Sequence, residues 1–391
     1  MALVQKAFSD IITFSRSSNA TRVGPTGLVE YAPHNLQTRS EAFDGTIYYV
    51  EAGSYTNNVI AAPNGTITGA AILEGTTFYT RARQNISVVN GGTYTYSAYF
   101  KSGTRTQVQM QIYSDDTDVD SVFDLSTGTI VYGATSTIVS VGNGWYRCSV
   151  TGTVGSTSAI TFAYPAVNGS YSYTHTNGAT GIYIWGAQLS VGPYALDYTP
   201  TTSAAVYGPR FDYDPVTLAA RGLLVEEQRT NLATYSEAFD NAAWTKLNAS
   251  VTANSTTSPD GTTSADYLIP NTSSGQHGVY QALSAVAGTP YTQSVFAKAG
   301  GYNWLFMTEG NNVTAQASFN LATGVVGTVA GTGSPSATIT ALANGWYRCT
   351  FTYTPIATSQ NIQIRAANAD AGPTFTGDGT SGIYIWGAQL E

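Results

Sequence analysis

GIYIWGAQL occupies Gly181–Leu189 and recurs letter for letter as Gly382–Leu390. In both copies Ile alternates with Tyr and Trp between glycines, the two-residue period of a β-strand with both faces occupied. Identity over that length within one chain marks an internal duplication, and repeats set the frame for everything else. The flanking landmarks keep one order. NLQTRSEAFD at Asn35 returns as NLATYSEAFD at Asn231, and APNGT at Ala62 as SPDGT at Ser258. Tyr94–Lys101 matches Tyr291–Lys298, FDLSTG at Phe123 matches FNLATG at Phe319, and GWYRC ends at Cys148 and at Cys349.

Within each copy the apolar runs are short and separated by Gly, Asn, Ser or Pro, as in TYTYSAYF, TQVQMQIY and AITFAYP. No window carries a sustained helical stripe; only Ser40–Phe43 and Ser236–Phe239 suit a helical turn. The fold class expected is all-β: two tandem jelly-roll-like β-sandwiches, each preceded by a short β-hairpin segment. The domain reading is an arm at 1–34, a sandwich at 35–197, a linker with a β-hairpin at 198–230 and a sandwich at 231–391. In the arm, Ile11–Arg16, Thr21–Val23 and Leu28–Tyr31 read as short strands around SSNA and GPTG turns. In the linker, RFDYDP and LLVEE read as the two sides of a hairpin, and GLLVEEQRTNL echoes GLVEYAPHNL of the arm. Trp145, Tyr146 and Trp185, with Trp346, Tyr347 and Trp386, are expected in the core, where such a ring buries ~150–250 Å².

Only 10% of the residues are charged, and 24 acidic against 16 basic side chains leave a net charge of −8. Ordinary soluble domains carry about 25% charged residues. No basic patch exists to displace counterions from nucleic acid, so nucleic acid is not an expected partner. Each repeat holds one cysteine, which excludes a disulfide within a repeat and suggests a buried thiol that packs as a small hydrophobe. The N-terminus lacks an apolar signal-peptide core, and no stretch approaches 18 apolar residues, so neither secretion by signal peptide nor membrane insertion is expected.

Gly208–Asp240, GPRFDYDPVTLAARGLLVEEQRTNLATYSEAFD, resembles a segment frequent in tailed-bacteriophage structural proteins of the tail-fibre and head-spike type. ITFSRSSNATRVGPTGLVE looks like the opening segment of the same group. The PDGT, FxLxTG, NGWYRC and GIYIWGAQLE landmarks are similar to the carbohydrate-binding-module-like jelly rolls such chains carry. The resemblance implies a surface-exposed virion component, made in the host cytoplasm and often multimeric. The arm would contact other virion proteins, and the sandwiches would face outward toward host-surface glycan. Two other readings stand beside it: a glycan-binding module of a secreted bacterial protein, and a polysaccharide depolymerase.

The strand Arg105–Tyr113 separates the repeats. Val108, Met110 and Ile112 share one face, which alternation assigns to the core. The other face shows Arg105, Gln107, Gln109, Gln111 and Tyr113. In the second repeat that face carries Tyr302, Trp304 and Phe306, with Leu305 and Met307 inward. Three rings on one face suit the apolar patches of a sugar, or else the cover of a neighbouring element. Arg105, Gln107 and Tyr113 are the corresponding contact candidates in the first repeat. Asp116, Asp118 and Asp260 are the oxygens a structural calcium would use, against the plainer reading of a solvated strand end and a turn. No other cofactor is expected. His34, His175 and His277 are unmatched between repeats, and no nucleophile elbow, zinc helix or phosphate loop is present, so no catalytic residue is assigned and a non-enzymatic protein is expected.

Overall fold

The computed structural model describes residue 14, residues 16–43, residue 48 and residues 53–76, 80–115, 117–133, 135–227, 229–310 and 315–391. The chain forms two compact units, residues 1–21 with 31–210 and residues 22–30 with 211–391. The arm is therefore divided: Arg22–Glu30 belongs to the second unit. Ile11, Ile12, Thr13 and Ser15, part of the first strand expected in the arm, lie outside the described residues.

Each unit is a pair of antiparallel sheets. In the first unit one sheet runs Thr129–Tyr132, Thr117–Asp124, Gln107–Ser114, Ser158–Ala166, Ala82–Ser87 in spatial order. The other runs Ser136–Gly142, Trp145–Thr153, Thr93–Ser102, Thr180–Val191, Gly69–Glu74, Gly53–Ile60. The second unit repeats this order. Val325–Gly331, Ala315–Asn320, Trp304–Glu309, Ser359–Ala367 and Ser274–Ser284 form one sheet, extended by Thr245–Leu247 and Thr374–Thr376. Ser336–Ala341, Tyr347–Tyr353, Tyr291–Gly300, Gly382–Leu390, Thr263–Pro270 and Ala249–Thr257 form the other. The expected all-β class and twin jelly-roll sandwiches are what the chain adopts. Ser40–Phe43 and Ser236–Phe239 form turns, and the one helical turn among the described residues is the 3-10 turn Ala343–Gly345. No helix among them is long and apolar enough to cross a membrane.

Between the sheets of the first unit lie Val108, Met110, Ile112, Phe123, Cys148, Ile182, Ile184, Ala187 and Leu189, among others. Their counterparts fill the second unit. Both cysteines are free and fully buried, and burial pushes their thiols up, as expected of inert packing.

The repeated strand departs from simple alternation. Ile182 and Ile184 face the core, and so do Ala187 and Leu189, which strict alternation would turn outward. The register slips between Trp185 and Gln188, and in the second unit at the same place. Gly186 and Gly387 take φ of 63° there, a left-handed conformation that favours glycine. A bulge leaves backbone groups unpaired, and here a side chain fills the gap. Asn35 Nδ2 donates to the Ala187 carbonyl (3.0 Å), and Asn35 Oδ1 accepts the Leu189 amide (3.2 Å). Asn231 makes the same two bonds to Ala388 and Leu390, each at 3.0 Å. That is the physical reason NL opens both repeats.

The four tryptophans of the repeated landmarks are buried, but outside the inter-sheet core. Trp145 and Trp185 lie on the outer face of the six-stranded sheet with Ala62, Tyr99 and Tyr198. Trp346 and Trp386 lie there in the second unit with Ala265, Phe296, Leu342 and Val29. Each indole finds an acceptor: Ala61 O for Trp145, Thr257 O for Trp346, Thr68 Oγ1 for Trp185 and Ser264 Oγ for Trp386. The APNGT and SPDGT turns exist to cap these rings. Tyr146 and Tyr347 sit half-buried against the inter-sheet core.

The lead-in hairpins form as well. Thr21–Val23 pairs with Val29–Tyr31, and Phe211–Tyr213 pairs with Ala220–Leu223, a return strand starting earlier than LLVEE. In the second unit the Val23 amide donates to Asp212 (2.9 Å) and the Val29 amide to the Pro259 carbonyl (3.0 Å).

Two outcomes test this account. A Cβ on Gly387 would stand 3.0 Å from the Phe296 ring, in a backbone conformation side chains resist. Gly387→Ala is expected to lower the second unit's stability by about 1–3 kcal/mol in urea unfolding; an unchanged midpoint would refute the bulge account. Buried His34 donates from Nδ1 to the Ala32 carbonyl and accepts the Val191 amide on Nε2, 2.8 Å away. Burial first, with Arg16 adding, holds its pKa below the ordinary value, against the opposing Ala32 bond. The unfolded chain therefore takes the proton first. Stability present above about pH 6.5 is lost as pH falls through the folded pKa. Hydrogen-exchange protection at Val191 should fall on acidification and become pH-flat in His34→Gln.

Candidate functional site

The outer face of the five-stranded sheet in the first unit is built by alternation. Gln107, Gln109, Gln111 and Tyr113 project away from the core because Val108, Met110 and Ile112 project into it. The neighbouring strand places Asp124 opposite Gln107, Asp120 opposite Gln111 and Asp118 opposite Tyr113. Val122 interrupts the acidic series opposite Gln109, so the pairs beyond it form diagonally. Gln107 Nε2 donates to Asp124 (3.3 Å), Gln109 Nε2 to Asp120 (2.5 Å) and Gln111 Nε2 to Asp118 (2.6 Å). Three carboxamide–carboxylate rungs thus run across two strands, within reach of one another's neighbours.

Aromatic residues flank the ladder. The edge-strand Tyr132, 39% exposed, donates to Asp120 Oδ2 (2.5 Å). On the other side Tyr164 donates to Gln111 Oε1 (3.1 Å) and receives Arg81 Nη1 (3.0 Å). The Arg81 guanidinium lies 4.6 Å over the Phe162 ring. Tyr171 stacks on Tyr164 at 4.8 Å, and the Gly169 amide caps Gln107 Oε1 at 2.8 Å. Tyr113, also 39% exposed, marks the open end. Gln109 is 4% exposed, and its Oε1 has no protein donor. That oxygen is itself buried, so the acceptors this face presents outward are the carboxylates of the neighbouring strand. Bonds from Ser126, Gln107 and Thr127, acting against partial burial, hold Asp124 below the ordinary carboxylate range. The face offers fixed acceptors between aromatic rims.

Arg105 points elsewhere. Its Nε and Nη2 donate to Glu74 at 2.5 and 2.8 Å, and it lies 4.7 Å over the Tyr173 ring. Tyr173 OH and the Thr176 amide complete the Glu74 shell, each at 2.7 Å. Burial opposes ionisation of Glu74, but these donors together bring its pKa below the usual value. The cluster pins the 167–179 loop, which carries Tyr171 onto the ladder. A cleft of about 280 Å³ opens beside it between Gly53–Ser54, Glu74–Thr76 and Asn177–Gly178. The structure therefore brings Gln107 and Tyr113 to one face and assigns Arg105 to its support. Asp118, Asp120, Asp124, Tyr132, Tyr164 and Arg81 join them from other strands. The period-two spacing of Asp118 and Asp120 was the available signal; the tyrosines gave none.

The second unit uses the same surface differently. Phe306 is buried beneath Arg365, whose guanidinium lies 5.9 Å over the ring. Trp304 is half-buried against Gly327 and the 368–372 loop, held down by Asp370 bonding Thr328 and by the Ala371 amide on Ser318. Tyr302 packs on Phe375 at 4.9 Å. The three rings are separated rather than shared as one platform. Tyr302 stands where Arg105 stands in the first unit, an aromatic contact replacing an ion pair at the same corner.

Asp116 lies outside the described residues. Asp118 is engaged by Gln111, and Asp260 Oδ1 accepts Ser258 Oγ, the Thr262 amide and Thr262 Oγ1, an Asx turn. Among the described residues no three His, Cys, Asp or Glu side chains converge on a metal position.

No family model matches the chain, and no curated protein does. Among solved structures, the tandem CBM22-1–CBM22-2 domains of Paenibacillus barcinonensis Xyn10C align at 11% identity over 92% of this chain and 98% of that one, with a TM-score of 0.29. The CBM22-1–GH10 modules of Clostridium thermocellum Xyn10B, complexed with xylohexaose, align at 20% identity over 42% of this chain and 29% of that one, with a TM-score of 0.25. The ANXUR2 extracellular domain of Arabidopsis thaliana aligns at 10% identity over 89% and 91%, also at 0.25. Values at this level transfer no function; the sheet order carries the fold assignment.

Removing Arg105 would leave the Glu74 carboxylate buried without its cation. Arg105→Ala is expected to cost the first unit about 3 kcal/mol and to open the 167–179 loop to limited proteolysis. Wild-type stability in that variant would overturn the clamp.

Proposed function

We propose that the chain is a non-enzymatic, glycan-binding structural protein of a bacteriophage particle, and that the ladder face of its first sandwich meets host-surface polysaccharide. The observation that carries the binding part is the row of three Gln–Asp rungs between tyrosine rims. Sugars present hydroxyls that both donate and accept, and pyranose rings present C–H faces. A surface of fixed carboxylate acceptors flanked by aromatic rings complements both. Carboxylates already bonded to carboxamides cost little further ordering when a ligand arrives, which favours binding by a preformed surface. The virion assignment rests on the two lead-in segments, ITFSRSSNATRVGPTGLVE and Gly208–Asp240, and on their position ahead of each sandwich. Its finer parts, the arm as the attachment to other virion proteins and the exposed placement on the particle, follow from that resemblance.

The test uses the whole chain. Host surface polysaccharides are titrated into the protein, and Asp120→Ala, which removes the acceptor shared by Gln109 and Tyr132, is expected to weaken binding about tenfold, or ~1.4 kcal/mol. Thermal unfolding of that variant should stay cooperative, with stability lowered by about 1–3 kcal/mol for the Gln109 donor left unpaired, so binding is compared well below its midpoint, and no new reducing ends should appear in the polysaccharide. Undiminished binding by Asp120→Ala would remove the ladder as the site. Release of reducing ends would replace the binding protein with a depolymerase.

A further inference from the structure

The first sandwich holds an extended segment of its own chain in a specific grip. Gln188 Nε2 donates to the Leu196 and Asp197 carbonyls (3.1 and 3.3 Å), and Gln188 Oε1 accepts the Thr199 amide (2.8 Å). Arg147 Nη2 donates to the Leu196 carbonyl (2.5 Å), and Asn35 Nδ2 to the Thr199 carbonyl (3.0 Å). Ser40 Oγ accepts the Thr201 amide (2.9 Å) and shares a hydrogen bond with the Tyr198 hydroxyl (2.7 Å), which also donates to Glu41 (3.0 Å). The Tyr198 ring lies 4.7 Å from Trp185 and 5.9 Å from Tyr99. Gln188, Arg147, Asn35 and Ser40 thus grip the backbone of Leu196–Thr201, while Ser40 and Glu41 single out its tyrosine.

The second sandwich keeps every one of these groups. Asn231, Ser236, Glu237, Arg348 and Gln389 stand where Asn35, Ser40, Glu41, Arg147 and Gln188 stand. Among the described residues no segment lies along them. Asn35, Ser40 and Gln188 are fully buried, whereas Asn231 and Glu237 are exposed and Ser236 and Gln389 half-buried. A Cβ on Gly186 would meet Tyr198 at 3.2 Å; one on Gly387 would meet only the Phe296 ring within 4 Å. Gln389 Oε1 takes Ser294 Oγ and Arg348 Nη2, each at 3.2 Å. Among the described residues nothing accepts from Gln389 Nε2 or bonds the Ser236 hydroxyl. Trp386 itself is covered, with Val29 and Phe296 in its cluster. What stays open is the polar wall that the first unit turns to a peptide backbone.

We infer that this wall is a binding groove for an extended peptide of the Leu-Asp-Tyr-Thr-Pro type, supplied by a partner polypeptide. The ligand is a peptide because the matching groups of the first unit meet carbonyls and amides in succession, the main-chain recognition of an added extended segment. Its tyrosine sits beside Phe296 with the hydroxyl on Ser236 and Glu237, and Gln389 and Arg348 take the carbonyls ahead of it. A proline after the threonine holds the backbone extended and needs no acceptor for an amide, so little ordering is lost on docking. This chain's own Leu196–Thr201 is held in the first sandwich, and the similar FDYDP at Phe211–Pro215 is paired in its hairpin. The occupant therefore comes from a partner. Nothing in this inference depends on the Gln–Asp ladder or on glycan.

The probe is a fluorescein-labelled synthetic peptide with the sequence of Ala195–Thr202, ALDYTPTT, titrated with the full chain and followed by anisotropy. One saturable site per chain is expected, because the first sandwich is closed to the probe by its own tethered segment. A peptide with phenylalanine in place of the tyrosine should bind about tenfold more weakly, since two hydroxyl bonds are lost. Ser236→Ala removes a hydroxyl that is unbonded in the free protein, so it should weaken binding about fivefold and leave urea unfolding unchanged. Gln389→Ala should weaken binding about tenfold. No saturation up to about 1 mM protein, equal binding of a scrambled peptide, or a Ser236→Ala or Gln389→Ala chain that binds like wild type would each overturn the inference.

Discussion

Both sandwiches depend on one local event, the bulge at Gly186 and Gly387 and the asparagine that closes it. A nine-residue strand that alternates without interruption would place Ile182 and Ile184 in the core and Ala187 and Leu189 outside. One extra residue in the left-handed region reverses the second half, so that both apolar pairs serve one core. The reversal also turns Gln188 outward, where it donates to the Leu196 carbonyl and accepts the Thr199 amide. A bulge leaves its amides and carbonyls without ladder partners, a cost the Asn35 and Asn231 side chains remove from across the sheet. Glycine, asparagine and the strand therefore form one unit of information, which explains why NL and WGAQL travel together through the duplication.

Much of the architecture was legible for this reason. Duplicated landmarks keep their meaning when they perform the same backbone task twice, as Asn35 and Asn231 do at the bulge. NG before the tryptophan is a hairpin turn with positive φ at Asn143 and Gly144, and again at Asn344 and Gly345. APNGT and SPDGT are caps over indoles. What the pattern could not reveal was the bulge, since a period-two reading of GIYIWGAQL treats the second glycine as a boundary. It also could not tell that Trp145, Trp185, Trp346 and Trp386 are buried outside the inter-sheet core. The sequence marks a residue as apolar; which layer covers it depends on chain far away, as with Val29 on Trp346 and Trp386.

The candidate site was legible in part. Comparing one strand between repeats drew attention to the face that carries the Gln–Asp rungs, and Gln107 and Tyr113 lie on it. The partners were invisible because they come from strands whose register only folding fixes. Asp120 reaches Gln109 diagonally because Val122 takes the direct position. Arg105 and Tyr302 were grouped with the face by alternation, yet both stand just ahead of their strands, Gln107–Ser114 and Trp304–Glu309, where side-chain direction follows the nearest loop. One finds Glu74 and Tyr173, the other Phe375.

Divergence between the units follows a physical logic. A sandwich needs its inner faces, and these are conserved in kind across the duplication: Val108, Met110 and Phe123 against Leu305, Met307 and Phe319. The outer face of the smaller sheet is under no such demand, so it can be spent on ligand or on loop. In the second unit the ring of Phe306 is closed over by Arg365, and the loop after that strand settles on Trp304. An apolar face left open to water would have cost stability and invited nonspecific contact, and covering it is the stable outcome. In the first unit, Gln109 in place of Phe306 and Tyr164 in place of Arg365 invert the arrangement, with the polar group on the central strand and the ring beside it. Polar rungs tolerate water, so that face stays partly open without penalty. The replacement of a ring by a carboxamide at this one strand gives the first unit a polar rung to Asp120 where the second unit has an aromatic ring under a guanidinium, and both groups are buried.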